Sequence, residues 1–120
     1  MNVKACIAIL LFIAITVSAI SANITVFIDA ASAIIVMGGA ICFGICSSRK
    51  WHSNERLESA SEGAVISGWL GTLYGAVIIA GNLTDMSALG PASAVGLLTV
   101  IYGYFVKALI RMVLISRSKE

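Results

Sequence analysis

Charge is scarce in this 120-residue chain: Asp, Glu, Lys and Arg make up 12% of it, against about 25% for a soluble domain. That shortage excludes a water-soluble protein, and a mean hydropathy of +1.00 agrees. Histidine occurs once, at His52. No constellation of nucleophile and carboxylate recurs around it, and no strand leads into a glycine-rich phosphate loop, so the sequence argues against an enzyme. The three cysteines, Cys6, Cys42 and Cys46, lie in or beside apolar stretches and read as small, reduced packing residues, not a disulfide framework. Cys42 and Cys46 are four apart on one helix face, but the distant His52 does not complete a metal site, and no cofactor is expected.

What is present is apolar. Four runs, about Ala5 to Ala22, Ile24 to Cys46, Ala64 to Gly81 and Leu89 to Val106, fill most of the chain, and a bilayer crossing takes about 20 such residues. Backbone polar groups in lipid must be satisfied internally, which favours helices over the ~10-residue alternating strands of a barrel. The expected fold is all-α: a polytopic membrane protein of four transmembrane helices forming a single transmembrane domain over residues 1–120. A loop at 47–62 and a tail at 107–120 complete it, and the loop has the composition to continue its flanking helices by a turn or two. The first run also has a competing reading as a secretory signal, with Lys4 before it and the small residues Ser18-Ala19-Ile20-Ser21-Ala22 at its end; its apolar length favours a span.

Basic residues are absent from two of the connections. Lys4, Arg49, Lys50, Arg56, Lys107, Arg111, Arg117 and Lys119 fall on one side of a four-span chain, while Asn23 and the stretch from Asn82 to Ala88 face the other without Lys or Arg. The positive-inside rule then puts both termini and the central loop in the cytoplasm. The net charge of +2 belongs to juxtamembrane residues suited to anionic lipid head groups, so membrane lipid and not nucleic acid is the expected contact. Lys107 and Arg111 are expected to snorkel to the inner interface, near which Trp51, Tyr102 and Tyr104 would also lie.

The spans differ from one another. The first is bulky and suits lipid, whereas the others carry small residues at helical spacing: Ala40 and Gly44; Ser67, Gly71 and Gly75; Ala92, Gly96 and Gly103 with Thr99 on the same face. Close backbone approach over such faces is how helices associate in lipid, within one subunit or between subunits. Thr72 and Thr99 either bond back to their own helix or together line a polar seam. Pro91 is expected in the first turn of the fourth helix, where its missing N–H costs nothing. Asp85 sits in a turn-forming stretch, and Asp29 reads as a capping or solvated carboxylate at the outer end of the second span. No acid lies at the middle of any run, so an ion-carrying carboxylate would have to come from another polypeptide.

Three segments in order carry a resemblance. Phe27-Ile28-Asp29-Ala30-Ala31-Ser32 with Ile35-Val36-Met37-Gly38-Gly39, then Gly68-Trp69-Leu70-Gly71-Thr72-Leu73-Tyr74-Gly75 with Asn82-Leu83, then the stretch from Ser87 to Gly103, are similar to the last three membrane helices of the MotA/TolQ/ExbB family of proton-channel subunits. The resemblance implies a multi-pass protein of the bacterial inner membrane. It implies a homo-oligomer, a pentamer being favoured, around a single-span partner of the MotB or ExbD kind that bears the ion-carrying aspartate. By the same resemblance Thr72 and Thr99 face the ion route and Pro91 lies near the partner's outer end. Val100 stands where the family often has a further threonine, which favours protons over sodium. Val65 and Ala40 replace a family proline and threonine, and the large cytoplasmic domain that MotA-like subunits carry between helices two and three has no counterpart here.

The first functional expectation is therefore a minimal stator-like ion-channel subunit that couples proton flow to mechanical work. The alternative is a non-conducting oligomeric membrane scaffold of the same descent. A four-helix exchanger of cationic drugs is disfavoured because the first span has no glutamate. The stator reading requires the small faces of helices two to four to surround a shared axis; burial of those faces wholly within one protomer would count against it.

Overall fold

The computed structural model describes residues 2–47 and 53–119. Arg49, Lys50, Trp51 and His52, read above as loop and interface residues, lie outside the described residues. Four helices follow one another: α1 (Val3–Ile20), α2 (Ala30–Ser47), α3 (Asn54–Gly81) and α4 (Met86–Ser118). Each is long and apolar enough to cross a membrane. A 3-10 segment, Ser21–Phe27, links α1 to α2 and is broken at Asn23, whose φ of −144° and ψ of 52° are not helical.

Polar side chains set the other helix starts. The Asp29 carboxylate accepts the Ser32 N–H at 2.8 Å and the Ser32 hydroxyl at 2.6 Å, an N-cap for α2. Ser53 caps α3 by accepting the Arg56 N–H at 3.2 Å, and Glu55 in the first turn complements the helix dipole. Asp85 caps α4, accepting the Ser87 N–H at 3.1 Å and its hydroxyl at 2.6 Å.

These caps change helix limits expected from apolarity alone. α2 opens at Ala30 and not near Ile24, because Asp29 stops the chain there. α3 begins ten residues before Ala64 and α4 runs twelve beyond Val106. The two extensions support each other, with the Arg117 guanidinium donating to the Asn54 side-chain oxygen at 3.3 Å. At 1.5 Å per residue α4 is about 50 Å long.

Helices α3 and α4 pack antiparallel in constant register, from Gly75 beside Ala92 at one end to Asn54 beside Arg117 at the other. α2 lies against both, with Val36, Ala40 and Ala64 forming the buried centre. α1 is attached to α4 at the edge, through the stacked rings of Phe12 and Phe105 at 5.8 Å, and buries no residue. The chain measures 56 × 35 × 16 Å along its principal axes.

Tyr102 fixes the relative height of the helices. Its hydroxyl donates to the Phe27 carbonyl and accepts the Asp29 N–H at 3.1 Å. The tyrosine is thus tied to the α1–α2 connection, and the expected cytoplasmic-interface position is corrected: α4 continues to Ser118, which leaves Tyr102 at mid-helix. The Ser32 hydroxyl also approaches the Val95 carbonyl, at 3.3 Å. Val95 lies nine residues into α4 and Ser32 two residues into α2, so α4 starts about 10 Å beyond the start of α2.

Candidate functional site

The expected packing residues come together where α3 meets α4. A Cβ added at Gly68 would stand 2.7 Å from the Thr99 carbonyl oxygen; at Gly103, 2.6 Å from the Ala64 carbonyl oxygen; and at Gly71, 2.7 Å from the Thr99 methyl. At Gly75 it would meet the Ala92 carbonyl oxygen at 3.1 Å and the Gly96 Cα at 3.3 Å. Only hydrogen fits at the first three, so backbone approaches backbone in the way small residues permit in lipid. On α2, Ala40 is buried, and Gly44 faces the Ala60 methyl with room for a Cβ at 3.5 Å. These faces, open in the sequence to use within or between subunits, are largely spent within one protomer.

Three of the tightest positions were not singled out as packing residues. Gly39 and Gly63 face each other across α2 and α3, a Cβ on Gly63 falling 2.6 Å from the Gly39 carbonyl oxygen, and Gly39 also abuts the Ser67 hydroxyl. Gly68 is the third. The paired glycines Gly38-Gly39 carried a signal, but only the contacts show which of them faces inward: nothing lies within 4 Å of a Cβ on Gly38.

The two threonines converge on one acceptor. The Thr72 hydroxyl donates across to the Gly96 carbonyl of α4 at 2.8 Å, with its own Gly68 carbonyl at 3.1 Å. The Thr99 hydroxyl donates to the same Gly96 carbonyl at 2.8 Å. Both readings of these residues are therefore realised in part: each bonds helix backbone, and together they form a polar seam around Gly96. Thr99 is fully buried, whereas Thr72 is half-buried and opens to a cleft.

That cleft, about 250 Å³, runs along α3 and α4 and is lined by Thr72, Gly75, Ala76, Ala92, Ser93 and Gly96 among others. Small and hydroxylic residues make up most of its lining, Ile79 and Leu97 add two large aliphatic side chains, and no ionisable side chain is among the described lining residues. The small surface is thus buried along most of its length and open at this end. Pro91 sits near the cleft on the exposed side of α4. It does not occupy the first turn as expected, because the Asp85 cap starts the helix at Met86, five residues earlier. Its missing N–H leaves the Ser87 carbonyl without its usual helical donor. Gly90 beside it meets nothing within 4 Å.

At the polar connection outside the helices, the Ser87 hydroxyl and then its backbone N–H hold the Asp85 carboxyl below the ordinary carboxylate range. Asp29 spends its carboxylate on Ser32, the capping role expected of it.

Four apolar helices, three of them joined by glycine and alanine contacts, place the chain among multi-pass helical membrane proteins. No family model and no solved structure matches it. Over 36 residues it is 53% identical to Motility protein A of Cereibacter sphaeroides, a stretch that covers 30% of this chain and 14% of that protein. The similarity to that motility protein is confined to those 36 residues.

Proposed function

We propose that the chain is a minimal stator-like subunit of a bacterial inner-membrane ion channel. It assembles as a homo-oligomer, with a pentamer favoured, around a single-span partner of the MotB or ExbD kind, and couples proton flow to movement of that partner. The observation that carries this reading is the α3–α4 cleft. Its floor of Gly75, Ala76, Ala92 and Gly96 between Ile79 and Leu97 offers another helix a close approach, its seam at Thr72 is polar, and no acid is among its described lining residues. A carboxylate at membrane depth is expensive and marks an ion path; here the partner supplies it. Exposed Gly90 and Pro91 extend the same approach surface. The connection between α2 and α3 spans only residues 48–53, so torque on a flagellar rotor is not part of the proposal.

The test is proton flux into liposomes that contain the chain and a co-encoded single-span protein. Flux that vanishes when the partner's acid is neutralised supports the reading. A purified monomer with no affinity for such a partner overturns it.

A second reading, a non-conducting oligomeric scaffold, is favoured by a different observation. Most of the small faces are consumed inside the protomer, and both threonine hydroxyls are already bonded to Gly96. Imaging of the detergent-purified particle separates the two: the scaffold has a centre sealed by apolar side chains or lipid, the stator a centre occupied by foreign helices.

A further inference from the structure

A cavity apart from the cleft at Thr72 lies between the start of α1 and the end of α4, measures about 300 Å³, and has Asn2, Lys4, Ser116 and Lys119 in its lining. Ala8 and Met112 continue the lining as an apolar wall. Met112 precedes Lys119 by seven residues, about 10 Å along α4, so the groove is cationic at one end and apolar at the other.

Ser116 makes the groove more than a gap. It is only 6% exposed, and its hydroxyl has no hydrogen-bond partner among the described residues. A buried hydroxyl left unpaired is costly, and most helix-borne serines avoid this by bonding back to the preceding turn. Ser116, Lys4 and Lys119 share this lining with the start of α1. The Ala5 N–H is taken by the Asn2 carbonyl at 2.9 Å, while the Asn2 side chain caps none of the N–H groups before it. Together the hydroxyl, the two lysines and the helix start suit an anion. The carbonyl end of α4 opposes this locally, but Arg117 and Lys119 offset its partial negative charge. No acid is among the described lining residues.

From this arrangement we infer that the α1–α4 groove is a binding site for an anionic phospholipid, its phosphate held between Lys4, Lys119 and Ser116 and its acyl chain lying along Ala8 and Met112. The lipid is chosen over a free anion because the groove continues as an apolar wall beside a helix that buries nothing of its own. A bound lipid would join α1 to the rest of the protein where side-chain packing is sparse. The inference does not depend on the stator reading.

The experiment is native mass spectrometry of the full chain in detergent, incubated with phosphatidylglycerol or phosphatidylcholine. The expected result is retention of phosphatidylglycerol over phosphatidylcholine, reduced about fivefold by Lys4→Gln or Lys119→Gln alone and about 25-fold by both, from the attraction of a juxtamembrane lysine to an anionic lipid. The double Lys→Arg variant keeps binding and controls for folding. Ser116→Ala weakens retention, and Arg111→Gln, exposed on α4 outside this lining, leaves it unchanged. Equal retention of the two lipids overturns the inference, as does an equal loss in the Arg111 variant. Displacement of the lipid by inorganic phosphate overturns the lipid assignment in favour of a free-anion site.

Discussion

α1 is more apolar than α3, yet α1 buries no residue while α3 buries Ser61, Gly63, Ala64, Ser67, Gly68, Gly71 and Gly75. Every buried residue of α3 is glycine, alanine or serine. In water the more apolar helix would be driven to the centre; in lipid the surroundings are as apolar as leucine, and what holds helices together is how closely their backbones approach. The difference between the two helices is thus one of side-chain size, and α1 keeps its large residues, such as Leu10, Leu11 and Ile15, on the outside.

The comparison breaks most decisively at the glycines. Gly68→Leu or Gly103→Leu drives a side chain into the backbone of the facing helix and should destabilise the α3–α4 pair by about 3 kcal/mol, read by denaturant unfolding in micelles. Leu11→Ala in α1 should stay within about 0.5 kcal/mol by the same measurement. Equal effects at the two places would refute the contrast. Next in size is Tyr102→Phe, which removes the donor to Phe27 and the acceptor for Asp29; about 1–3 kcal/mol is expected, with faster amide exchange at Asp29.

Thr72→Val tests the hydroxyl bond from α3 to the Gly96 carbonyl of α4. Such bonds in membranes average about 0.6 kcal/mol, so a small loss is expected, and a loss as large as that at Gly68 would show that the seam and not the glycines holds the pair. The smallest effect concerns Asp85, exposed in the connection before α4. Ser87 lowers its pKa, so the cap contributes above the unfolded value of about 3.9 and is lost as pH falls through the lower folded value. A carbon-detected titration should find the Asp85 midpoint below that of a free aspartate, and Ser87→Ala should raise it. A midpoint at the free value would mean that the cap is not formed in solution.

The four spans and the small faces of α2 to α4 were legible because long apolar runs and glycine spacing are local properties. The ends of the helices were not. Residues 54–62 and 107–118 carry charge and so read as loop and tail by apolarity, but each finds its partner in the other helix, as the Arg117 bond to Asn54 shows. Pro91 was read at a helix start because a proline favours that position; the Asp85 cap, a competing local signal, won. Tyr102 was placed by its distance from the end of an apolar run, whereas its contact to Phe27 depends on how far two helices slide past each other, which no single segment encodes. In the candidate site the identity of Thr72 and Thr99 was readable, but their shared acceptor on Gly96 exists only in the folded pair.

The third dimension of the molecule, 16 Å, amounts to two helix layers, since the axes of packed helices lie about 8–10 Å apart. A plate this thin has no interior wide enough for a water-filled passage. Any conduit it takes part in must run along one of its broad sides, and the opposite wall has to be supplied by lipid, by another plate or by a visitor. Permeation is then a trait of a wall-to-wall contact, and a lone copy in a closed lipid vesicle should leak nothing at all.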